Sequence, residues 1–397
     1  MRLGKLNLSS ANKILRKIQV IYKNAKESLA RIMLGKSLTN SIIAYKGELN
    51  LKKIRRIRAR IGMLHKASSE TKSRMKDFQD RYAALVSPVT APIVLVSQIQ
   101  RSGGSFLSQL FDGHPQIHAH PHELKIGYPK KYIWPKLDLS ESPQRWFEFL
   151  FEDDVIQHFN EGYKKSEKAT ETFPFIFLPS LQRKIFLNYL SDVKKPITQR
   201  NIFDAYMSSY FGAWLNNQNM YGPKKFITAF TPRLAMMKDS ITSFFEIYPD
   251  GRLISVVRDP KNWYPSALRH ENKKRKYDDM KQALEQWSES VQTSVWNKEQ
   301  YGDRVCIIRF EDLVSSTESV MRYLAEFLGI EFDDILLTPT FNKHPIEANT
   351  SFKLEKSGIM AGTLSRYKTL TTEEMQVVEK MTSAAYHRAL DQAVVFS

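Results

Sequence analysis

Three short stretches carry the residues with chemistry to offer. The first, "VSQIQRSGGSF" at 96–106, runs from an apolar segment into Arg101, Ser102, Gly103, Gly104 and Ser105. Glycines let a backbone approach a ligand closely, the first amides of a following helix point at it, and the helix dipole favours an anion. Arg101 adds a permanent charge and the two serines add hydroxyl donors. That chemistry suits a phosphate or sulfate group. The Gly-x-x-x-x-Gly-Lys-Ser/Thr loop of nucleoside triphosphatases is not present, and an ordinary glycine-rich strand-to-helix turn is the plainer alternative. The second stretch is "RLISVVRDPKNWYPSALRH" at 252–270. An apolar strand ends at Arg258, Pro260 suits a first helical turn, and Ser266 lies a turn or two into that helix, so arginine and serine can reach one anion. A surface ion pair with a helix cap is the alternative there. The third, "HPQIHAHPHE" at 114–123, offers His114, His118, His120, His122 and Glu123. On a strand, His118, His120 and His122 share one face, an alternation that also suits zinc. With one cysteine in the chain and no second carboxylate motif, the reading is a site without metal, and His114 is expected to be satisfied by hydrogen bonds alone.

The elements that must position these residues follow from the apolar pattern. Strands are predicted at 93–97, 116–120, 226–230, 253–257 and 305–310. Helices are predicted at 105–111, 234–247, 280–296, 319–328 and 372–390. Strands separated by helices imply right-handed crossovers and a parallel sheet covered on both faces, with ligands at the carboxyl ends of the strands. The expected fold is therefore α/β, and its sheet occupies a body of 89–397. The prolines of "SPVTAP" at 87–92 mark the boundary with a different kind of segment. Residues 1–88 hold 21 Lys or Arg against 5 Asp or Glu, while the whole chain of 397 residues has a net charge of +17, so the excess charge is nearly all in this arm. "LNLKKIRRIRARIGMLHK" spaces Leu51, Ile54, Ile57, Ile61 and Leu64 by threes and fours among arginines and lysines, the pattern of a basic amphipathic helix. A similar stripe runs from Ile14 to Ile32, and Gly35 sits near the junction of the two helices. Such an arm suits a partner helix or an anionic membrane surface. Without interleaved aromatic residues it is a poor match for nucleic acid.

No signal peptide and no run of about 20 apolar residues is apparent. Cys306 lies in the apolar run "RVCIIRF", where it reads as a small buried hydrophobe. The expectation is a cytoplasmic protein, peripheral on the cytoplasmic face of a membrane if the arm binds lipid.

The two arginine loops in this order resemble the sulfotransferase family, whose members use 3′-phosphoadenosine 5′-phosphosulfate (PAPS) as donor. In that family a loop after the first strand holds the 5′-phosphosulfate, and the resemblance carries this role to Arg101, Ser102, Gly103, Gly104, Ser105 and Phe106. A later Arg-Asp-Pro with a serine eight residues past the arginine binds the 3′-phosphate, matched by Arg258 and Ser266. "IIRFEDLVSSTESVMRYLAEFLGI" is similar to the family's Tyr-Glu-Asp-Leu segment and Phe-Leu-Gly helix end. "KSGIMAGTLSRYKTLT" looks like its glycine-containing carboxyl-terminal loop, which adds Lys356 and Arg366 to the donor site. The departures are Gly104 where a hydroxyl is usual, Phe106 where Trp or Leu is common, and Tyr367 where Trp is usual. The resemblance spans about 90 to 390 and leaves 125–220, the variable acceptor side, largely unmatched. It implies a P-loop-like fold for the body.

The resemblance also implies the reaction: sulfuryl transfer from PAPS, without a metal, to a hydroxyl or amine of a carbohydrate, lipid or small-molecule acceptor. Bacterial carbohydrate and lipid sulfotransferases place a glutamate at about the position of Glu123, often just after a proline. Glu123 is thus the expected base, with His122 and then His120 as alternatives, and Arg101 steadies the departing phosphate. Tyr128, Trp134 and Trp146 are candidate acceptor contacts, although aromatic stripes more often form core. The reading from another class is a non-catalytic scaffold that binds membrane or a partner through its basic helices.

Overall fold

The computed structural model describes residues 51–126, 133–163, 172–269, 277–346, 354–355, 358–359 and 364–396. The chain divides into two compact units, Met1–Tyr82 and Ala83–Ser397. The described part of the first is the helix α1 (Leu51–Leu85), which ends just inside the second. The earlier helix expected between residues 14 and 32 lies outside the described residues. Among the described residues, no helix is long and apolar enough to cross a membrane.

The second unit opens with β1 (Ile93–Val96), α2 (Gly104–Phe111) and β2 (Ile117–Glu123). Four helices follow: α3 (Pro143–Leu150), α4 (Asp154–Glu161), α5 (Pro179–Asp192) and α6 (Gln199–Ala213). Next come β3 (Phe226–Phe230), α7 (Lys238–Ile247), β4 (Arg252–Val257), α8 (Pro260–Leu268), α9 (Met280–Tyr301) and β5 (Val305–Arg309). The helices α10 (Phe310–Ser315), α11 (Thr317–Leu328) and α12 (Thr372–Gln392) complete the main elements. The strands form one sheet in the order β2-β3-β1-β4-β5. Every pairing is parallel, with β1 central: Val94 lies opposite Thr228 on one side and Arg252 on the other. All five carboxyl ends therefore open on one edge, and the loops after β1 and β4 leave side by side.

Both faces of the sheet are covered, which explains why its strands read as continuous apolar runs. Val256, Cys306 and Ile308 pack on one face with Phe106, Leu110, Phe310 and Leu324. Their chain neighbours Val257 and Ile307 pack on the other with Trp263, Trp287 and Val378. Cys306 is buried as its surroundings suggested, and burial pushes its thiol up to about 12. The predicted strands appear within a few residues; β2 runs on to Glu123, and the helix expected from Leu234 begins as a tight turn, Leu234–Met236, before α7.

The unmatched region supplies α3 to α6. Their aromatic residues are mostly core: Phe175, Phe177 and Phe203 are buried. Trp134 is buried against Phe203 and Phe244, and Trp146 donates its indole N–H to the Asp138 carbonyl. This corrects their assignment as acceptor contacts, because both rings face the interior. Tyr128 lies outside the described residues.

At the end of the sheet away from the carboxyl edge, Arg200 on α6 ties three segments together. It bonds both Asp204 oxygens at 3.0 Å, Asp250 at 2.7 Å and the Thr90 carbonyl at 3.1 Å, and it lies 4.0 Å over the Tyr248 ring. Burial raises Asp204 to about 6, an effect that Arg200 and the Tyr248 hydroxyl oppose. Removing the arginine leaves a buried carboxylate without its cation. Arg200→Ala is expected to lower stability by about 3 kcal/mol in urea unfolding at neutral pH, and a loss below about 1 kcal/mol would mean that solvent already serves Asp204.

Candidate active site

The loop after β1 is held at nearly every residue. Ser97 donates its hydroxyl to the Thr231 carbonyl at 2.6 Å and accepts from the Ala235 N–H at 2.8 Å. The Ile99 N–H donates to Ser290, and the Gln98 carbonyl accepts from the Arg233 N–H at 2.9 Å. Gln100 is clamped from two sides: its carbonyl accepts from the Trp263 indole at 2.8 Å, and its side-chain oxygen accepts from Arg233 at 2.6 Å and the Tyr277 hydroxyl at 3.0 Å. The next residue, Arg101, adopts a left-handed φ of 71°, which a non-glycine residue keeps only when its surroundings enforce it.

Two glycines complete the turn into α2. Gly103 caps the helix at φ 99°, and a Cβ there would sit 2.5 Å from the Phe310 ring. At Gly104 a Cβ would meet the Gln98 amide nitrogen at 2.1 Å and the Phe230 ring at 2.4 Å. The missing hydroxyl at 104 thus has a steric cause, since this chain fills the space with Gln98 and Phe230. Ser102 is buried and Ser105 half-buried. The Phe106 side chain lies in the core, so only its backbone stays in the first turn of α2.

The loop after β4 meets this one directly. Arg258 is buried, donates Nη1 to the Arg101 carbonyl at 2.9 Å, and lies 4.3 Å over the Phe310 ring. Asp259 caps α8 by accepting from the Lys261 N–H at 2.7 Å, while its own N–H donates to Glu311 at 3.1 Å. The Phe-Glu-Asp segment of the sequence is therefore a brace for both loops, through the Phe310 ring and the Glu311 carboxyl. On α8, Ser266 is fully buried and its hydroxyl has no hydrogen-bond partner among the described residues. Arg366 stands in a tight turn, Arg366–Thr369, held where the Tyr367 N–H donates to Asn262 of α8. Lys356 lies outside the described residues.

These groups form one electrostatic unit. Burial first, and then the charge of Arg366 with a smaller effect of Arg101, pushes Arg258 down to about 9. Burial, then the charges of Arg101 and Arg269, brings Arg366 to about 10. Burial likewise lowers Arg101. All three stay cationic at neutral pH. Glu311, raised to about 7 by burial, neutralises them only in part. Three guanidinium groups within one another's fields, just before the amide end of α2, are chemically suited to an anion.

The histidine stretch sorts itself by depth. His114 accepts from the Gln116 N–H at Nδ1 and lies 2.9 Å from the Glu331 carbonyl at Nε2, the fully satisfied neutral ring expected of it. His118, His120 and His122 do share a face, and it is turned to the aromatic side of α6. His118 stacks on Phe211 at 4.4 Å, and burial drives it down to about 3. His120 pairs with the buried Glu152 at 3.2 Å, and Glu152 also accepts from the Tyr206 hydroxyl and the Lys125 N–H. The His122 Nε2 meets the Tyr210 hydroxyl at 3.0 Å, its ring stacks 4.1 Å from His158, and burial followed by the charges of His158 and His120 holds it well below the usual imidazole range. Glu123 is the last residue of β2, opposite Phe230, where the register shifts at the carboxyl edge.

The structure thus brings Arg101, Arg258 and Arg366 together, and Ser266 lies on α8, the helix that follows Arg258. It puts Glu123 on the same edge of the sheet and sends His120 and His122 inward. Sequence reading missed Gln100, Arg233 and Tyr277; Arg233, just after β3 at φ 69°, has the placement of a site residue, but nothing local in the sequence reveals its partner.

The sequence model of the sulfotransferase family matches residues 92–334, and the chain belongs to this family. Its resemblance to the family, read from the two arginine loops, is borne out. Protein-tyrosine sulfotransferase A of Caenorhabditis elegans is 28% identical over 95 residues, 23% of this chain and 25% of that protein, so the chain spans about a quarter of the length of this curated relative. The sulfotransferase domain of the Synechococcus PCC 7002 olefin synthase is 19% identical with a TM-score of 0.45, covering 77% of this chain and 96% of the other. The sulfotransferase domain from the curacin biosynthetic pathway is 19% identical with a TM-score of 0.42, covering 74% and 98%.

Gly104→Ser, which restores the hydroxyl common in the family, is expected to destabilise this protein by about 1–3 kcal/mol through overpacking against Gln98 and Phe230. Urea unfolding measures it, and an unchanged midpoint would contradict the steric account.

Proposed function

We propose that the protein transfers a sulfuryl group from 3′-phosphoadenosine 5′-phosphosulfate to a hydroxyl or amine of an acceptor, within the carbohydrate and lipid classes. The observation that carries this reading is the mutual proximity of Arg101, Arg258 and Arg366, with Ser266, whose buried hydroxyl has no partner among the described residues, on the helix that follows Arg258. A generic nucleotide explains one cationic loop. A donor with phosphate at both the 5′ and the 3′ position explains two.

In this reading Arg258 and Ser266 hold the 3′-phosphate, with Arg366 completing its charge balance. Arg101 and the first amides of α2 take the 5′ end, where negative charge grows on the phosphate oxygen as the sulfur–oxygen bond breaks. Donors fixed beforehand cost no reorganisation at that moment, and the clamp on Gln100 keeps Arg101 in its left-handed turn. The guanidinium groups carry the charge that a metal ion bears in many phosphoryl transfers. Glu123 takes the acceptor proton as the new oxygen–sulfur or nitrogen–sulfur bond forms. His122 suits the role less, because its depressed basicity and its contact with Tyr210 leave it little affinity for a proton near neutral pH.

The test is transfer of radiolabelled sulfur from the donor to a panel of carbohydrate and lipid hydroxyl acceptors. Glu123→Gln is expected to lower kcat by about 10²–10⁴ with binding of the desulfated nucleotide unchanged, whereas His122→Gln keeps most of the rate. Full activity in Glu123→Gln would assign the base elsewhere, and absence of transfer by the folded wild type to every acceptor would favour the scaffold reading.

A further inference from the structure

The helix α1 carries a second pattern that the donor site does not use. Over its described side chains, Ile61, Ser68, Thr71, Met75, Phe78 and Tyr82 recur at one step of seven and then by threes and fours, so they fall on one stripe. Met75 is 44% and Phe78 40% exposed, and the rings of Phe78 and Tyr82 lie 5.5 Å apart along the stripe. The Thr71 hydroxyl donates back to the Ala67 carbonyl at 2.7 Å, which spends its polarity within the helix and leaves its methyl for the stripe. Charge is sorted around this seam. Lys72 and Arg74 lie about a quarter-turn to either side, while Glu70, Asp77 and Asp80 lie on the far face together with Lys66.

That sorting discriminates between occupants. If two copies paired along the seam, the flanking positions would be His65, Lys72 and Gln79 on one side and Arg60, Arg74 and Arg81 on the other. Lys72 and Arg74 would then meet cations of the other copy in either helix orientation, while Asp77 already pairs with Arg81 of its own helix at 3.0 Å. A negatively charged lipid surface suits both features: apolar side chains enter the acyl boundary while lysine and arginine stems reach up to the phosphates. Residues 1–50 carry 10 Lys or Arg against 2 acidic residues, the same sign bias.

We infer that α1 is a docking surface for anionic lipid, with the Met75, Phe78 and Tyr82 stripe facing the membrane and Lys72 and Arg74 on its phosphates. The inference does not depend on the proposed chemistry.

The experiment is flotation of the full chain with vesicles of phosphatidylcholine alone and with added phosphatidylserine. The full chain is expected to float only with the phosphatidylserine vesicles, and less so as salt rises. Phe78→Asp abolishes flotation, and Lys72→Glu with Arg74→Glu weakens it about tenfold or more. Circular dichroism checks that the variants keep their helix content, and their affinity for the desulfated nucleotide stays at the wild-type value. Absence of flotation with phosphatidylserine, or flotation indifferent to both sets of substitutions, overturns the inference. So does a seam whose substitution changes only the mass in solution or the capture of an acidic protein.

Discussion

Mutual repulsion among three arginine side chains is the constraint on which the second unit is built. Left to relax, Arg101, Arg258 and Arg366 would swing apart into water, and each would recover its hydration. They are prevented by bonds that have little to do with charge. Arg258 is pinned to the Arg101 carbonyl and laid on the Phe310 ring, Arg101 is fixed by the backbone turn that precedes two crowded glycines, and Arg366 is placed by the Tyr367 amide on Asn262. The sheet and its two apolar layers stabilise the protein enough to sustain this arrangement. A bound anion with two phosphate groups would turn the repulsion into attraction, which is the sense in which the site is preorganised.

The same logic accounts for the other side of the carboxyl edge. Three histidines pointing one way from a strand need an interior that accepts polar rings, and α6 supplies one in Tyr206, Tyr210 and Phe211, with Glu152 anchoring His120. Burial keeps His118 and His122 neutral, and the three rings act as rigid packing beneath the strand end. Glu123, one residue further, is where β2 leaves this packing for the edge that the arginines line.

Much of this was legible in the chain because the information is local. A buried parallel strand must be a short apolar run, a glycine pair before a helix signals close backbone approach, and Arg-Asp-Pro at a strand end fixes both a cap and a cation. Arg101, Arg258 and Ser266 were therefore readable from spacing, and family resemblance added Arg366. What stayed hidden depends on distant partners. The Arg233 to Gln100 bond spans 133 positions, and the reason for Gly104 lies partly in Phe230, far along the chain. The helix α6 was missed because it is buried all round, so its polar Asp204, Ser208 and Ser209, each satisfied inside, blur the periodic signal. Trp134 and Trp146 misled for a related reason: an aromatic residue in a variable region looks like a ligand contact until its ring is seen packed or bonded inward.

The most direct measurement is calorimetric titration of 3′-phosphoadenosine 5′-phosphate, without magnesium, into the wild type and into Arg258→Ala. Saturable one-to-one binding in the wild type and a loss of at least about thirtyfold in the variant, equivalent to about 2 kcal/mol, is the result that the convergent arginines predict. Equal affinity in both proteins, or no binding to the folded wild type, would contradict it.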